Sequence, residues 1–109
     1  MGIEISAFFG DGEHPFRLTD AMIGELERVT GYGIGALYKR VIAQDFAATD
    51  LAEIIRLGLI GGGMPPQQAR QLVDTYAVNR PFSETFPLAL DVLDARWSGT
   101  PSSDQDAPA

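Results

Sequence analysis

The residues best suited to chemistry lie together near the amino terminus. His14 is the only histidine of the chain, and Asp11 and Glu13 are close to it in the sequence. Imidazole and carboxylate groups can together bind a metal ion or act as a general base. Neighbouring turn residues point in different directions, however, and rarely converge on one ion without further ligands. A solvated hairpin tip is therefore the preferred interpretation, and neither a metal site nor a cofactor is predicted.

The other polar residues form no recognisable catalytic pattern. The chain has five serines, but its single histidine would have to serve any of them as base, and it has no nucleophile-elbow sequence. Asp91 and Asp94 are three residues apart, and Glu25 and Glu27 are two apart. These carboxylates lie opposite apolar stripes, where water is expected to keep their pKa values ordinary. The sequence therefore predicts a protein that is not an enzyme.

Two glycine-rich stretches have the composition of an anion-binding turn. Residues 31–36, GYGIGA, show the glycine spacing of a dinucleotide-binding turn, which has that function only between a strand and a helix. Both flanking patterns are helical here, so the stretch is predicted to join two helices. Residues 61–63, GGG, precede another predicted helix, but the two prolines that follow remove amide donors from that position. A flexible reversal between helices is the preferred interpretation.

Length and charge restrict the classes of partner. A chain of 109 residues can form one domain with a sizeable core, and without cysteine it has neither disulfides nor zinc–thiolate sites. The formal net charge is −7, and the eight Lys and Arg residues are scattered rather than clustered on a basic face. The first residues do not resemble a signal peptide, and no apolar run approaches the roughly 20 residues that span a bilayer. We therefore expect protein partners or small solutes, with no direct nucleic-acid binding and no membrane anchor.

A β-hairpin is predicted at the amino terminus. In residues 3–9, IEISAFF, apolar and polar side chains alternate, and Phe8 lies on the polar face. Asp11-Gly12 is a hairpin-turn signal, and residues 14–18, HPFRL, form the returning strand. Pro15 lacks an amide donor, so we expect it at the turn or at a sheet edge.

Five amphipathic segments follow the hairpin. The predicted helices are residues 21–30 capped by Thr19 or Asp20, residues 34–42, residues 50–60 begun by Thr49 or Asp50, residues 64–76 with Pro65 or Pro66 in the first turn, and residues 83–97 capped by Ser83 or Thr85. The third is apolar enough to be central, and Asp50 and Glu53 have the spacing of a capping box. The first two are predicted to bury Val29 and Ile42 along with their other apolar residues.

Several glycines are predicted to be structural because they end or interrupt helices. They are Gly31, Gly33, Gly58, Gly61, Gly62 and Gly63. Helices commonly end in a left-handed residue, a conformation that glycine adopts without steric cost. We therefore predict positive φ at Gly31 and at one or more of the glycines at 61–63.

The candidate partner-binding residues are large apolar side chains of the hairpin and the last helix. Phe86, Leu90, Leu93 and Trp97 recur at helical spacing and form one stripe, about half of which should pack in the core. The end of this stripe near Trp97 is expected to be exposed and to contact another chain. Phe8 lies on the water-facing side of its strand, so its ring either covers a helix or binds a partner.

The pattern as a whole predicts a single domain over residues 1–98. Its fold class is α+β and mostly helical, with a short amino-terminal β-hairpin packed on a cluster of four to five α-helices. Residues 99–109, with no large apolar side chain, are predicted to be a disordered acidic tail.

The order of these features resembles a small family of gene transfer agent tail proteins. That family is related to phage tail assembly chaperones and is also labelled a phage tail tube family. The resemblance covers residues 3–98 and is carried by the hairpin, by LERVTGYGIGALYKR, DLAEIIRLGLIGGG and QQARQLVD, and by the last apolar helix. Its most specific part is IIRLGLIGGG.

The resemblance implies a non-enzymatic protein of tail morphogenesis in a phage-like particle. Such chaperones coat the apolar tape measure protein in the bacterial cytoplasm while tail tube subunits polymerise around it, and they are usually absent from the finished particle. The tape measure protein and the tube subunits are therefore the implied partners, with self-association as a further option. A single hairpin favours the chaperone over a tube component, which generally needs a long sheet. A structural tail component stays open as the alternative, and a small ligand-binding or hydrolytic domain using His14 as the second.

Overall fold

The computed structural model describes residues 2–100 and shows a hairpin followed by five helices. The elements are β1 Glu4–Phe9, β2 Gly12–Arg17, α1 Asp20–Thr30, α2 Ile34–Ile42, α3 Ala48–Gly61, α4 Pro66–Tyr76 and α5 Phe82–Ser98. The predicted α+β class is confirmed, with an antiparallel hairpin packed on the helices. The stretch 31–36 joins α1 to α2, as predicted.

The hairpin turn lies one residue earlier than predicted. Phe9 pairs with Gly12, so the two turn residues are Gly10 and Asp11 rather than Asp11 and Gly12. Gly10 has a φ of 67°, whereas Asp11 is not among the residues of positive φ. Positive φ at the first turn residue alone fits a type II′ turn, which favours glycine at that position.

Strand β2 accommodates Pro15 because of its register. Pro15 pairs with Ser6, three pairs away from the closing pair, where the alternation of an antiparallel ladder places no hydrogen bonds. The missing amide donor therefore costs no ladder bond, in agreement with the predicted edge position. At the same positions the carbonyl groups point away from β1, and those of Pro15 and Arg17 face the end of α3.

Helix α3 is the centre of the core, as its apolar sequence predicted. It contacts β2, α1, α4 and α5. Its fully buried apolar side chains are Leu51, Ile54, Ile55, Leu57 and Leu59. Gly58 allows a close approach on this helix, since a Cβ there would lie 3.2 Å from both Phe16 Cδ2 and Val92 Cγ1. Gly58 thus lies where the hairpin and α5 both pack against α3.

The glycines at 61–63 have two distinct roles. A Cβ at Gly61 would lie 1.7 Å from the carbonyl oxygen of Arg17, and one at Gly62 would lie 2.1 Å from that of Pro15. Only Gly63 has positive φ, at 115°, which agrees with the predicted helix stop. The stretch is therefore a site of close backbone contact rather than the flexible reversal that the sequence suggested.

The beginning of α3 corrects a predicted cap. The helix starts at Ala48, and the buried Asp50 carboxylate accepts a hydrogen bond of 2.9 Å from the backbone N–H of Ala47. Asp50 therefore caps from inside the first turn, as the acidic member of a capping box does, and the predicted Asp50–Glu53 box is wrong. Glu53 instead accepts two hydrogen bonds from Arg56, at 2.8 and 2.9 Å.

Helix α5 also begins earlier than predicted. It starts at Phe82 after Pro81, so neither Ser83 nor Thr85 is the cap, and Thr85 is buried instead. Pro87 lies inside the helix rather than in its first turn. The prediction assumed that proline would stay where its missing amide donor costs nothing, but an exposed proline near a helix start is tolerated here.

Gly31 ends α1 as predicted, with a φ of 80° and its N–H donating to the Glu27 carbonyl at 2.9 Å. Nothing lies within 4 Å of the position that a Cβ would take there, so an alanine would be strained only through its backbone conformation. We expect Gly31→Ala to lower the free energy of unfolding by about 1 kcal/mol. Urea denaturation measures this change, and an unaltered midpoint would contradict the left-handed cap.

The described chain ends beside its own beginning. The N–H of Thr100 donates to the Gly2 carbonyl at 2.7 Å, and the N–H of Gly2 donates to the Thr100 carbonyl at 2.9 Å. The Thr100 hydroxyl also donates to the Glu4 carbonyl at 3.1 Å. The folded part thus includes two residues of the predicted tail, and residues 101–109 lie outside the described part of the chain.

Candidate functional site

The hairpin carboxylates and His14 form a pair rather than a three-membered site. His14 Nε2 lies 2.7 Å from Asp11 Oδ1, whereas Glu13 pairs with Phe8 on the neighbouring strand. Within residues 2–100, no three or more His, Cys, Asp and Glu side chains are grouped so that they could hold a metal ion. The arrangement can order the turn, and among the described residues the hydrogen bond of the His14 ring is to Asp11.

The paired carboxylates of the helices are less ordinary than the sequence suggested. The pKa of Asp91 is raised, first because nearby protein atoms displace water from it and second because Asp94 repels its charge. Asp94 accepts a hydrogen bond from the Tyr38 hydroxyl, which raises the pKa of that tyrosine. The hydrogen bond from Arg28 lowers the pKa of Glu25. Asp91 and Asp94 both line an open depression between β1 and the end of α5, whereas the Glu25–Arg28 contact lies within α1.

Asp91 supplies a pH-dependent prediction. Because its folded pKa is higher than its unfolded value, its ionised form lowers stability at neutral pH, and this loss disappears as the carboxyl group is protonated. We expect Asp91→Asn to raise the free energy of unfolding at neutral pH by up to about 0.5 kcal/mol. The gain should vanish below the ordinary aspartate value of 3.8. Thermal melts of both proteins across this range measure it, and an Asn variant less stable at neutral pH would contradict the assignment.

The structure does not bring the predicted partner-binding residues together on one surface. Phe8 and Trp97 are 69% and 59% exposed, so neither is a core residue. Leu93 is buried, whereas Phe86 and Leu90 are half-buried against the core. The predicted stripe is therefore buried at Leu93, half-buried at Phe86 and Leu90, and most open to solvent at its carboxyl-terminal end.

Close helix packing explains which side chains of α5 are buried. The buried residues of α5 are Thr85, Leu88, Ala89, Val92, Leu93 and Ala95. Val92 lies close to Gly58 of α3. Phe86 stacks on Phe46 with ring centroids 5.6 Å apart, and Trp97 stacks on Tyr38 at 4.7 Å.

The most apolar depression lies between the start of α3 and the connection from α4 to α5. Leu51, Ala52, Val78 and Phe82 line it, and its volume is ≈ 280 Å³. Val78 is 45% exposed and Phe82 is 54% exposed. Phe46 packs edge-on against Phe82 with ring centroids 6.1 Å apart, which supports the Phe82 ring from one side. This groove was not predicted from the sequence.

Two further depressions continue this groove in both directions. One is lined by Val29 and shares Thr49, Ala52 and Val78 with it. The other is lined by Phe8 and shares Arg80 and Thr85 with it. We call the continuous surface the apolar band, and its exposed large apolar members are Phe8, Val29, Val78 and Phe82. Val29 was predicted to be buried, but its position at the end of α1 leaves it 36% exposed at this surface.

Local backbone geometry fixes the connection that carries Val78 and Phe82. Asn79 has a φ of 60°, a left-handed conformation that asparagine adopts more readily than most residues. The N–H of Val78 donates to the Val73 carbonyl at 3.2 Å, at the end of α4. Arg80 donates to Glu84 in the first turn of α5, at 3.1 and 3.4 Å. The turn that lines the apolar band is thus held by hydrogen bonds and by the left-handed conformation of Asn79.

The rim of the apolar band is acidic on balance. Arg70 lies 3.6 Å from Glu53 and 3.7 Å from Asp74, and Arg80 pairs with Glu84. Asp50 lines the same part of the surface. The residues that line the band include three carboxylates, Asp50, Glu53 and Glu84, and two guanidinium groups, and Arg56 also pairs with Glu53. The lining therefore carries a small excess of negative charge.

The comparison with known protein families decides which family the chain belongs to. The family described as phage tail tube protein, GTA-gp10, matches the chain over residues 2–99. The chain belongs to this family. No curated protein and no solved structure matches the chain. Since the match spans the hairpin and all five helices, the resemblance to gene transfer agent tail proteins is confirmed for the whole described fold.

The apolar band of this tail protein shares Phe8 with the partner-binding residues predicted from the sequence, but its central groove at Val78 and Phe82 was not among them. It was missed because Val78 and Phe82 lie in AVNRPF, which reads as a connection between helices. Two large apolar residues in a short connection were the available signal, since they lack a helix face on which to be buried. None of the described helices of this tail protein has both the length and the apolar composition needed to cross a bilayer.

Proposed function

We propose that this tail protein is an assembly chaperone that binds the tape measure protein while tail tube subunits polymerise around it, and that it is not an enzyme. The observation that carries the proposal is the apolar band, an open surface on a small acidic domain. A client-binding protein must expose apolar surface and stay soluble, and the net charge of −7 serves solubility. Binding would take place in the bacterial cytoplasm during particle assembly.

The sheet supports a chaperone more than a tube subunit. Within residues 2–100 it has only two strands, each of six residues. The outer edge of β2 is covered by Gly61, the last residue of α3, and by Gly62 after it, and the beginning of β1 is covered by Thr100. Little strand edge is left to pair with neighbouring subunits in a ring.

A structural tail tube component is the second candidate function. The description of the family itself favours it, and the middle of β1 near Phe8 has no strand partner on its outer side within the described residues. The two candidates differ in whether the protein stays in the particle, so the composition of the particle separates them.

The deciding experiment combines a pull-down with an analysis of purified particles. The tagged protein is co-expressed with the tape measure protein and with the tube subunit, and captured proteins are identified by mass spectrometry. We expect capture of the tape measure protein and no stoichiometric amount of this chain in finished particles. Its presence in particles at the copy number of a tube subunit, without capture of the tape measure protein, would overturn the proposal.

A further inference from the structure

We infer that the apolar band binds a single amphipathic helix whose apolar face meets Val78 and Phe82 and whose margins carry lysine or arginine. The inference deepens the proposed function and rests on it for the identity of the natural client, a segment of the tape measure protein. The recognition chemistry itself follows from the exposed side chains, the state of the backbone and the charges around the band.

Exposed apolar side chains are concentrated at the band. The described residues include seven exposed large apolar side chains, and four of them, Phe8, Val29, Val78 and Phe82, belong to it. Two of the others are partly covered, since Trp97 stacks on Tyr38 and the Arg40 guanidinium lies 4.4 Å from the centre of the Tyr32 ring. A contiguous patch of this kind marks an interaction surface, whereas single exposed residues do not.

The backbone around the band favours a helical occupant over an extended one. An added strand needs a sheet edge with free N–H and carbonyl groups. The central groove is instead walled by α3 and by the α4–α5 connection, where the N–H groups of Val78 and Glu84 are already bonded to Val73 and Pro81. A helix satisfies its own backbone and offers side chains at intervals of three and four, which suits an elongated groove lined by side chains.

The charge around the band favours a basic helix over an acidic one. Asp50, Glu53 and Glu84 outnumber Arg70 and Arg80 among the residues that line the band, and the entire chain carries −7. A second copy would bring the same negative charge to this surface, which disfavours self-association there. Residues 101–109 carry two aspartates and no large apolar side chain, so they do not suit it either. A helix with an apolar face and basic margins complements both the apolar side chains of the band and the carboxylates around them.

The test uses two synthetic helix-forming peptides with leucine along one face. One peptide has lysine on its other face and the other has glutamate, and binding to the full chain is measured by titration calorimetry. We expect the leucine–lysine peptide to bind and the leucine–glutamate peptide to bind at least about tenfold more weakly. Raising the salt concentration should weaken the first interaction. Equal binding of both peptides, or binding of neither, would overturn the inference.

Matched variants locate the interaction. Val78→Asp and Phe82→Asp place a charge in the band, and Ile42→Asp places one at a similarly exposed residue, 53% accessible, that lines none of the three depressions. We expect each band variant to weaken leucine–lysine binding at least about tenfold and Ile42→Asp to leave it unchanged. Circular dichroism checks folding, and Val78→Ser and Phe82→Ser are milder replacements if an aspartate variant is unfolded. If Ile42→Asp weakened peptide binding as much as the band variants do, the band would not be the binding site.

The same variants separate this inference from the proposed function. If the band variants still capture the tape measure protein as well as the native chain does, the band is not the client site and the chaperone proposal stands. If the native chain captures no tape measure protein but binds the leucine–lysine peptide at the band, the chaperone proposal fails and the band stays a helix-binding site. If light scattering shows a dimer that Val78→Asp dissociates, the occupant is a second copy and the inference is wrong.

Discussion

Replacing Gly61 or Gly62 with alanine is expected to lower the free energy of unfolding by about 4 kcal/mol or more, or to prevent folding altogether. The reason is direct overlap, because the new Cβ atoms would lie 1.7 and 2.1 Å from the carbonyl oxygens of Arg17 and Pro15. These oxygens belong to the backbone of β2, which is paired to β1 and cannot move aside as a flexible side chain can. Relieving the overlap would separate the hairpin from α3.

Two other glycines provide matched controls for this prediction. Gly24 lies inside α1, and a Cβ there would meet nothing within 4 Å, so Gly24→Ala should be neutral or stabilising by about 0.5–1 kcal/mol. Gly31→Ala, which has space but a φ of 80°, should fall between these extremes. Urea denaturation of the four variants gives the order. If Gly61→Ala and Gly62→Ala were no worse than Gly31→Ala, the close contact between α3 and β2 would be wrong.

Phe16→Ala is expected to lower the free energy of unfolding by about 3–5 kcal/mol. The Phe16 side chain is fully buried, lies beside Gly58 and meets Phe9 edge-on with ring centroids 6.4 Å apart. Its removal would leave a cavity between the hairpin and α3, and the rigid backbone contact at Gly61 and Gly62 limits how far the two can collapse onto it. Thermal and urea unfolding both report the loss.

Phe8→Ala is the matched control because it removes the same ring from the partner strand. Phe8 is 69% exposed, so its truncation should change stability by no more than about 0.5 kcal/mol. A large loss in Phe8→Ala would show that this ring packs in the core. A small loss in Phe16→Ala would contradict the central position of β2 against α3.

The sequence by itself determined the elements and their order. Alternating apolar residues specify the hairpin, and helical spacing with Gly31 and Gly63 in left-handed conformations specifies where two of the helices stop. These features depend on local backbone preference, which a short stretch of residues contains. The errors at the starts of α3 and α5 are small, since Asp50 suits more than one position in a first turn and the exposed Pro87 is accommodated just beyond the first turn of α5.

Only the tertiary structure decided which surfaces meet. Gly61 and Gly62 are needed because the carbonyl oxygens of β2 leave no room for a Cβ atom, and those oxygens lie more than forty residues away in the chain. On α5, the close approach of Val92 to Gly58 on another helix likewise depends on residues far apart in the chain.

The apolar band was beyond the sequence for a related reason. Its lining residues come from β1, α1, α3, α4, the α4–α5 connection and α5, and no periodic pattern joins residues from six separate segments. Exposure is also a property of the assembled fold, since Val29 follows the spacing of buried residues and is open only because α1 ends beside the groove. Local sequence therefore set the elements of this tail protein, and long-range packing set the surface that they leave uncovered.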